Sequence, residues 1–202
     1  MVIFLCTRVR LDRQIIVAAA AEIADLNGLD NVTLTAVANH LGVRKPSLYN
    51  HMKGLPELKG QLAICGTNQL RVKISDAAIG KAKHDAIAAI ADAYRLFAKE
   101  RPGLYRAIVS SPDRDNLELK TAIQKLMAVI SVVLEPYNLS ASDKTHAIRG
   151  LRSLMHGFAS LEEAGWFIAP IDREESYQRL INIFICGIES SCESTPATDH
   201  EP

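Results

Sequence analysis

The residues whose types and spacing point most directly to a chemistry lie between Thr33 and Met52. Ala38 is small enough for a following helix to cross close to it, and Gly42, four residues later, lets the chain reverse with a positive φ. Four apolar residues then fall on the inner faces of the two helices: Val37, Leu41, Val43 and Leu48. This spacing predicts a helix-turn-helix, whose second helix lies in the major groove of DNA.

The outward side of the second predicted helix carries cationic and hydrogen-bonding groups: Arg44, Lys45, Ser47, Asn50 and His51. Donors and acceptors of this kind read base edges in the major groove. The alternative is a pair of amphipathic helices joined by a glycine turn, which is a common arrangement without any DNA-binding role. Here the small residue, the glycine and the four apolar positions occur together with a polar, basic outward side, and that combination favours DNA binding.

The rest of the 202-residue chain must position that segment. Hydrophobic residues make up 48% of the sequence, which is enough for a core and excludes wholesale disorder. Lys and Arg total 23, as do Asp and Glu, which excludes a globally basic nucleic-acid binder, although residues 1–60 hold seven basic against five acidic groups. Cys6, Cys65, Cys186 and Cys192 form no CxxC pair, and no uncharged stretch reaches the length of a membrane span. These features predict a cytoplasmic protein with reduced thiols.

Apolar residues recur at helical spacing along the chain, and alternating strand patterns are lacking. We therefore expect an all-α protein of about nine helices, with an N-terminal three-helix helix-turn-helix DNA-binding domain and a larger C-terminal helical bundle. The predicted divisions are the DNA-binding domain at 8–55, a connecting helix at 56–80, the larger bundle at 81–191 and a disordered tail at 192–202.

Residues 12–65 resemble the N-terminal domain of the tetracycline-repressor (TetR) family of bacterial transcriptional regulators. The resemblance rests on the stretches Ile15–Ala24, Val32–Ala38 and Leu41–His51, the last of which reads Leu-Gly-Val-Arg-Lys-Pro-Ser-Leu-Tyr-Asn-His. Residues 152–167 resemble a His-Gly-Phe signature in one class of TetR ligand-binding domain. The resemblance implies a homodimeric repressor that binds a near-palindromic, double-stranded DNA operator and releases it when a small-molecule effector binds.

Carried over by position, the resemblance implies a set of DNA contacts. Thr33 caps its helix and, with Thr35, faces phosphate or an adjacent base. The residues implied to face base edges are Arg44, Lys45, Pro46, Ser47 and Asn50. Those implied to contact the sugar-phosphate backbone are Tyr49, His51 and Lys53.

The start of the fourth helix and the N-terminal arginines also bear on DNA binding. Where the family often has Lys or Arg at the start of the fourth helix, this chain has Leu55, so that phosphate contact is missing or supplied by Lys59. Arg8, Arg10 and Arg13 are either an N-terminal arm near the DNA backbone or minor groove, or a solvated chain end.

The segment 81–191 is expected to be the ligand-binding and dimerisation domain. Apolar residues occupy more than one side of its last helix, which favours a four-helix interface formed with the preceding helix and a second copy; the alternative is a helix buried centrally within one monomer. The predicted effector pocket is lined by Tyr94, Phe97, Tyr105, Met127, His156, Phe158 and Trp166, although such residues at helical spacing are also typical of plain core. No cluster of charged groups marks this pocket, which favours a largely apolar effector.

An enzyme is the main rival class. The six histidines include no pair at i, i+4 and no His-Glu-x-x-His, and the sequence has neither a glycine-rich phosphate loop nor a Gly-x-Ser-x-Gly elbow. The sequence therefore predicts a regulator that is not an enzyme and needs no metal and no cofactor. A helical enzyme or adaptor without a recognisable site motif is the alternative.

Overall fold

A computed structural model describes residues 11–110 and 115–193, with side chains as far as residue 190. The described part of the chain folds into nine α-helices and contains no β-strand, which confirms the predicted all-α class. The helices are α1 (Arg13–Asn27), α2 (Leu34–His40), α3 (Lys45–Leu48), α4 (Leu55–Ala78), α5 (Lys83–Glu100), α6 (Pro102–Ser110), α7 (Leu117–Leu134), α8 (Ala141–Glu163) and α9 (Arg173–Glu193). One-turn 3₁₀ segments lie at Leu29–Asn31 and Glu135–Tyr137. None of the described helices is long and apolar enough to cross a membrane.

The described residues separate into two compact units. The first comprises 11–66, 102–110 and 115–116, and the second comprises 67–101 and 117–193, so that α4 contributes residues to both. The sequence analysis placed α6 in the larger bundle at 81–191, whereas the structure groups it with the first unit. At the other end, α9 continues to Glu193, two residues into the predicted tail; the remaining tail residues, like residues 8–10 of the predicted DNA-binding domain, lie outside the described residues.

In the first unit, α6 joins the DNA-binding segment because its N-terminus docks on the C-terminal part of α1. The Asp25 carboxylate accepts hydrogen bonds from the backbone N–H groups of Gly103 and Leu104, at 2.9 and 3.1 Å. A Cβ atom at position 103 would lie 2.1 Å from the carbonyl carbon of Ala24, so that only glycine allows this approach. One carboxylate thus satisfies two amides that a helix N-terminus leaves without partners of its own.

A buried cation links three helices of the second unit. The side chain of Arg95, on α5, is 6% exposed, and its guanidinium lies 5.2 and 5.0 Å from the ring centroids of Phe158 and Tyr177. It donates two hydrogen bonds of 2.8 Å to Glu162 of α8 and one of 2.5 Å to Glu174 of α9. Hydrogen bonds from this guanidinium hold the pKa of Glu162 below its usual value. The arrangement ties α5, α8 and α9 to one charged group.

Replacing Glu162 with glutamine is expected to destabilise the protein by about 2 kcal/mol, because it removes the bidentate partner of a buried guanidinium. Glu175→Gln is the matched control, since Glu175 pairs with Arg179 on the exposed surface of α9 and such pairs contribute little. Denaturant unfolding of both variants measures the difference. The lowered pKa of Glu162 gives the pH dependence of the stability difference. The wild type has its full extra free energy of unfolding above pH 4.5, the usual pKa of this carboxyl, and loses it as the pH falls through the lowered pKa. Equal losses in the two variants would contradict the assignment.

Candidate nucleic-acid interface

The turn between α2 and α3 has the geometry that the sequence spacing predicted. The Thr33 hydroxyl oxygen caps α2 by accepting a hydrogen bond of 3.0 Å from the backbone N–H of Ala36. Gly42 has a φ of +64°, and the N–H of Val43 then donates to the carbonyl of Ala38 at 2.9 Å. Ala38 is buried, as are Val37 and Leu48, whereas Leu41 and Val43 are half-buried. The two helices are therefore locked by contacts on their inner faces.

Helix α3 is a single helical turn, which leaves the polar side chains around it on the surface. Pro46 lies in its first turn, where the missing N–H costs no hydrogen bond. Leu48 is its buried anchor, and Tyr49, which follows directly, is 53% exposed. A short helix with one buried anchor presents most of its side chains to solvent, as a helix that enters a groove must.

All ten predicted DNA-contacting residues lie in the first unit, at the start of α2, along α3 and in the loop that leads to α4. Eight of them are exposed: Thr33, Thr35, Arg44, Lys45, Pro46, Tyr49, Asn50 and Lys53. The other two, Ser47 and His51, are half-buried. The structure brings the ten residues together in one short segment; their contacts with DNA stay a prediction.

The loop that carries His51 and Lys53 is held by a carboxylate that the sequence interpretation missed. Glu57, in the first turn of α4, accepts a 2.5 Å hydrogen bond from the backbone N–H of Lys53 and forms a 2.5 Å ion pair with Arg13 of α1. The same guanidinium lies 3.4 Å from the carbonyl oxygen of His51. The Lys53 N–H, followed by the charge of Arg13, lowers the pKa of Glu57. A glutamate at the third position of a helix is the signal that could have revealed this contact.

The pairing of Arg13 bears on the N-terminal arginines. Arg13 is engaged with Glu57 and serves the loop before α4, so it does not belong to a free arm. Arg8 and Arg10 lie outside the described residues.

At the start of α4, Leu55 occupies the first position and is half-buried, as is Lys59 one turn later.

Glu57→Gln is expected to weaken DNA binding about fivefold, because the loss of the charge loosens the loop that presents His51 and Lys53. Glu22→Gln is the control: Glu22 is an exposed carboxylate of the same unit that pairs with His40. Fluorescence anisotropy with a labelled operator duplex measures both variants. An affinity equal to that of the wild type, in a protein whose Tm is unchanged, would show that the loop does not need this carboxylate.

The seven residues of the predicted effector pocket are divided between the two units. Tyr105 is buried in the first unit, because its helix α6 packs against α1, while the other six belong to the second unit. Phe158 and Trp166 line a common cavity of about 350 Å³. The other four residues do not line this cavity: Tyr94 and Phe97 are buried, and Met127 and His156 are half-buried.

No group of three or more His, Cys, Asp or Glu side chains is arranged to hold a metal ion within the residues that the structure describes. Of the cysteines in this part, Cys65 is half-buried and Cys186 is exposed, and neither forms a disulfide.

Comparison with protein families matches both units. Residues 16–54 match the family described as "Bacterial regulatory proteins, tetR family", which covers the segment with the exposed α3. Residues 87–184 match the family described as "Tetracyclin repressor-like, C-terminal domain".

Individual relatives agree with the family matches. The chain is 38% identical over 183 residues to "Uncharacterized HTH-type transcriptional regulator YobS" of Bacillus subtilis (strain 168), covering 90% of this chain and 94% of that one. It is 31% identical over 181 residues to "Uncharacterized HTH-type transcriptional regulator Rv0681" of Mycobacterium tuberculosis (strain ATCC 25618 / H37Rv), covering 89% and 83%. Among solved structures, a TetR variant from Acinetobacter baumannii AYE in complex with minocycline has the same fold, with a TM-score of 0.71 at 18% identity over 92% of this chain and 100% of that one. With its helix-turn-helix and both family matches, the chain belongs to the TetR family of DNA-binding transcriptional regulators.

Proposed function

We propose that this TetR-family protein is a homodimeric repressor that binds a palindromic operator, releases it on binding a small molecule, and acts by binding rather than by catalysis. The single observation that carries the proposal is the exposed polar and cationic surface of α3 beside the capped N-terminus of α2. A surface of that composition complements both phosphates and base edges.

Within this proposal the side chains divide by chemistry. Arg44 and Lys45 donate to guanine O6 and N7, and Asn50 has the donor and acceptor that adenine requires. The Thr33 hydroxyl accepts from a backbone N–H and keeps its own proton for a phosphate oxygen. Tyr49 is exposed beside α3, and we assign it a contact with the sugar-phosphate backbone.

Helices α8 and α9 support the dimer. The inward side of α9 is buried through Tyr177, Ile181, Ile185 and Ile188. Its opposite side leaves Ile183 71% exposed, next to the exposed Cys186 and Gly187. On α8, Leu161 is exposed, and a Cβ atom at Gly157 would meet no atom within 4 Å. Apolar and small residues on the outward sides of two adjacent helices are typical of a surface that packs against a second copy.

The effector part of the proposal is supported by the complex of the Acinetobacter baumannii protein with minocycline, a small molecule. Release of DNA requires an effector that binds more tightly to the conformation with low operator affinity. Repression follows if the bound dimer occludes a promoter.

Selection of bound fragments from random duplex DNA tests the proposal. We expect enrichment of an inverted repeat, since two-fold symmetry of the protein requires two-fold symmetry of its site. Sedimentation equilibrium at micromolar concentration should show a dimer. Failure to enrich any sequence would favour the alternative of a helical adaptor or enzyme, and a stable monomer would exclude the dimer.

A further inference from the structure

The connection between α8 and α9 in the second unit lines an open, largely apolar cavity. Its volume is about 350 Å³, within the range of small-molecule pockets. Aromatic rings form much of its wall: Phe158 and Phe167 lie with their ring centroids 4.7 Å apart, and Trp166 is 69% exposed beside them. Ile168 and Ile171 extend the apolar lining and are also exposed. An apolar ligand that covered these side chains would remove a substantial area from water.

One cation lines this largely apolar cavity, whose other polar side chain, Ser176, donates its hydroxyl proton to the carbonyl of Asp172. Arg173, the first residue of α9, lines it, and its only hydrogen bond within the described chain is a long one, 3.4 Å, to the carbonyl of Phe167. No ion pair joins this guanidinium to a carboxylate of the described residues, and the acids on either side of it in sequence have other contacts. Asp172 accepts from the N–H of Glu174, and Glu174 in turn binds the buried Arg95.

The next acid along the helix is engaged in the same way. Glu175 pairs with Arg179 at 2.6 Å, one turn further along α9. The Arg173 guanidinium therefore keeps most of its donors for a ligand, and a carboxylate is the group that fits their planar, forked geometry.

We infer that this cavity binds a small apolar monocarboxylate, with its ring or short chain against Phe158, Phe167 and Trp166 and its carboxylate on Arg173. The inference rests on the proposed function, because it names the chemical class of the effector. It adds a carboxylate to the largely apolar molecule expected from the sequence. A second copy of the chain is the other occupant that this apolar surface could accept, but it would leave the charge of Arg173 without a defined partner.

Trp166 is the chain's only tryptophan, so its fluorescence reports directly on binding at this cavity. We expect 4-phenylbutyrate to change its fluorescence saturably, and the neutral amide of the same acid to bind at least about tenfold more weakly, because it lacks the charge-assisted hydrogen bond. Arg173→Gln should weaken binding of the acid by about the same factor. Arg179→Gln, on the same helix but engaged with Glu175, should leave it unchanged. Circular dichroism verifies that each variant is folded.

Several results would overturn the inference. These are no saturable change at millimolar 4-phenylbutyrate, equal binding of acid and amide, or equal effects of the two arginine substitutions. Two results together would assign the surface to a second copy of the chain instead. These are a Trp166 fluorescence that changes with protein concentration but not with the acid, and dissociation of the dimer in Trp166→Ala. The titration contains no DNA, so it tests ligand binding independently of operator binding. An operator can be selected even if the acid does not bind, and the acid can bind even if no operator is selected.

Discussion

Replacing Arg44 and Lys45 together with alanine is expected to weaken operator binding by roughly 100-fold or more. Each good contact with a base edge contributes about 1–3 kcal/mol, and the proposed homodimer would lose the two predicted contacts at both half-sites. Both side chains are exposed and no intramolecular ion pair is formed by either within the described chain, so that the fold loses nothing by their truncation. Titration of the selected operator by fluorescence anisotropy measures the effect, and thermal unfolding should show an unchanged Tm.

A pair of lysines in the second unit provides the control for charge. Lys120 and Lys125 are exposed on α7, in the second unit, so that Lys120→Ala with Lys125→Ala removes the same formal charge elsewhere. We expect that variant to bind the operator within about twofold of the wild type, because long-range charge effects are screened at physiological salt. Equal losses in the two double variants would mean that net charge, and not the surface of α3, determines affinity.

Gly103→Ala should destabilise the first unit by about 3 kcal/mol or more. The added Cβ would lie 2.1 Å from the carbonyl carbon of Ala24, and backbone atoms cannot move aside as a flexible side chain does. Alanine is the better helix former by about 1 kcal/mol, so a net loss shows that the steric conflict exceeds this gain. Denaturant unfolding followed by circular dichroism gives the free energy.

Two other glycines of the same unit calibrate the result. At Gly66 a Cβ atom would come 3.0 Å from the carbonyl oxygen of Leu104, which predicts a smaller loss. At Gly60 the nearest atom is the side-chain nitrogen of Asn116 at 3.6 Å, an ordinary contact, so Gly60→Ala should be neutral or stabilising. An unfolding free energy for Gly103→Ala equal to that for Gly60→Ala would contradict the close approach of α6 to α1.

The helix-turn-helix was predictable because its determinants are local. A capping threonine, a glycine with positive φ and apolar residues at fixed spacing all lie within about 15 residues. Preferences over so short a range can be recognised from the sequence. The structure places Thr33, Gly42 and Leu48 in those roles. The helical class was predictable for the same reason, since apolar spacing within each segment determines it.

The features that escaped prediction depend on residues far apart in the chain. The sequence analysis assigned α6 to the larger bundle, but whether α6 packs with earlier or later helices depends on contacts such as that of Asp25 with Gly103, 78 residues apart. The Arg95–Glu162 contact spans 67 residues and the Arg13–Glu57 pair 44. Hydrophobic periodicity shows which side of a helix is buried, but not which helix covers it.

The brevity of α3 has a consequence for how regulators of this kind diverge. Leu48 is the one buried residue of α3, while Lys45, Pro46 and Asn50 are exposed to solvent. If those outward residues contact base edges as predicted, exchanging them alters which base pairs are favoured and requires no repacking inside the protein. A duplicated gene could therefore acquire a new target site through a few substitutions, each nearly neutral for folding, before anything else in the chain changes.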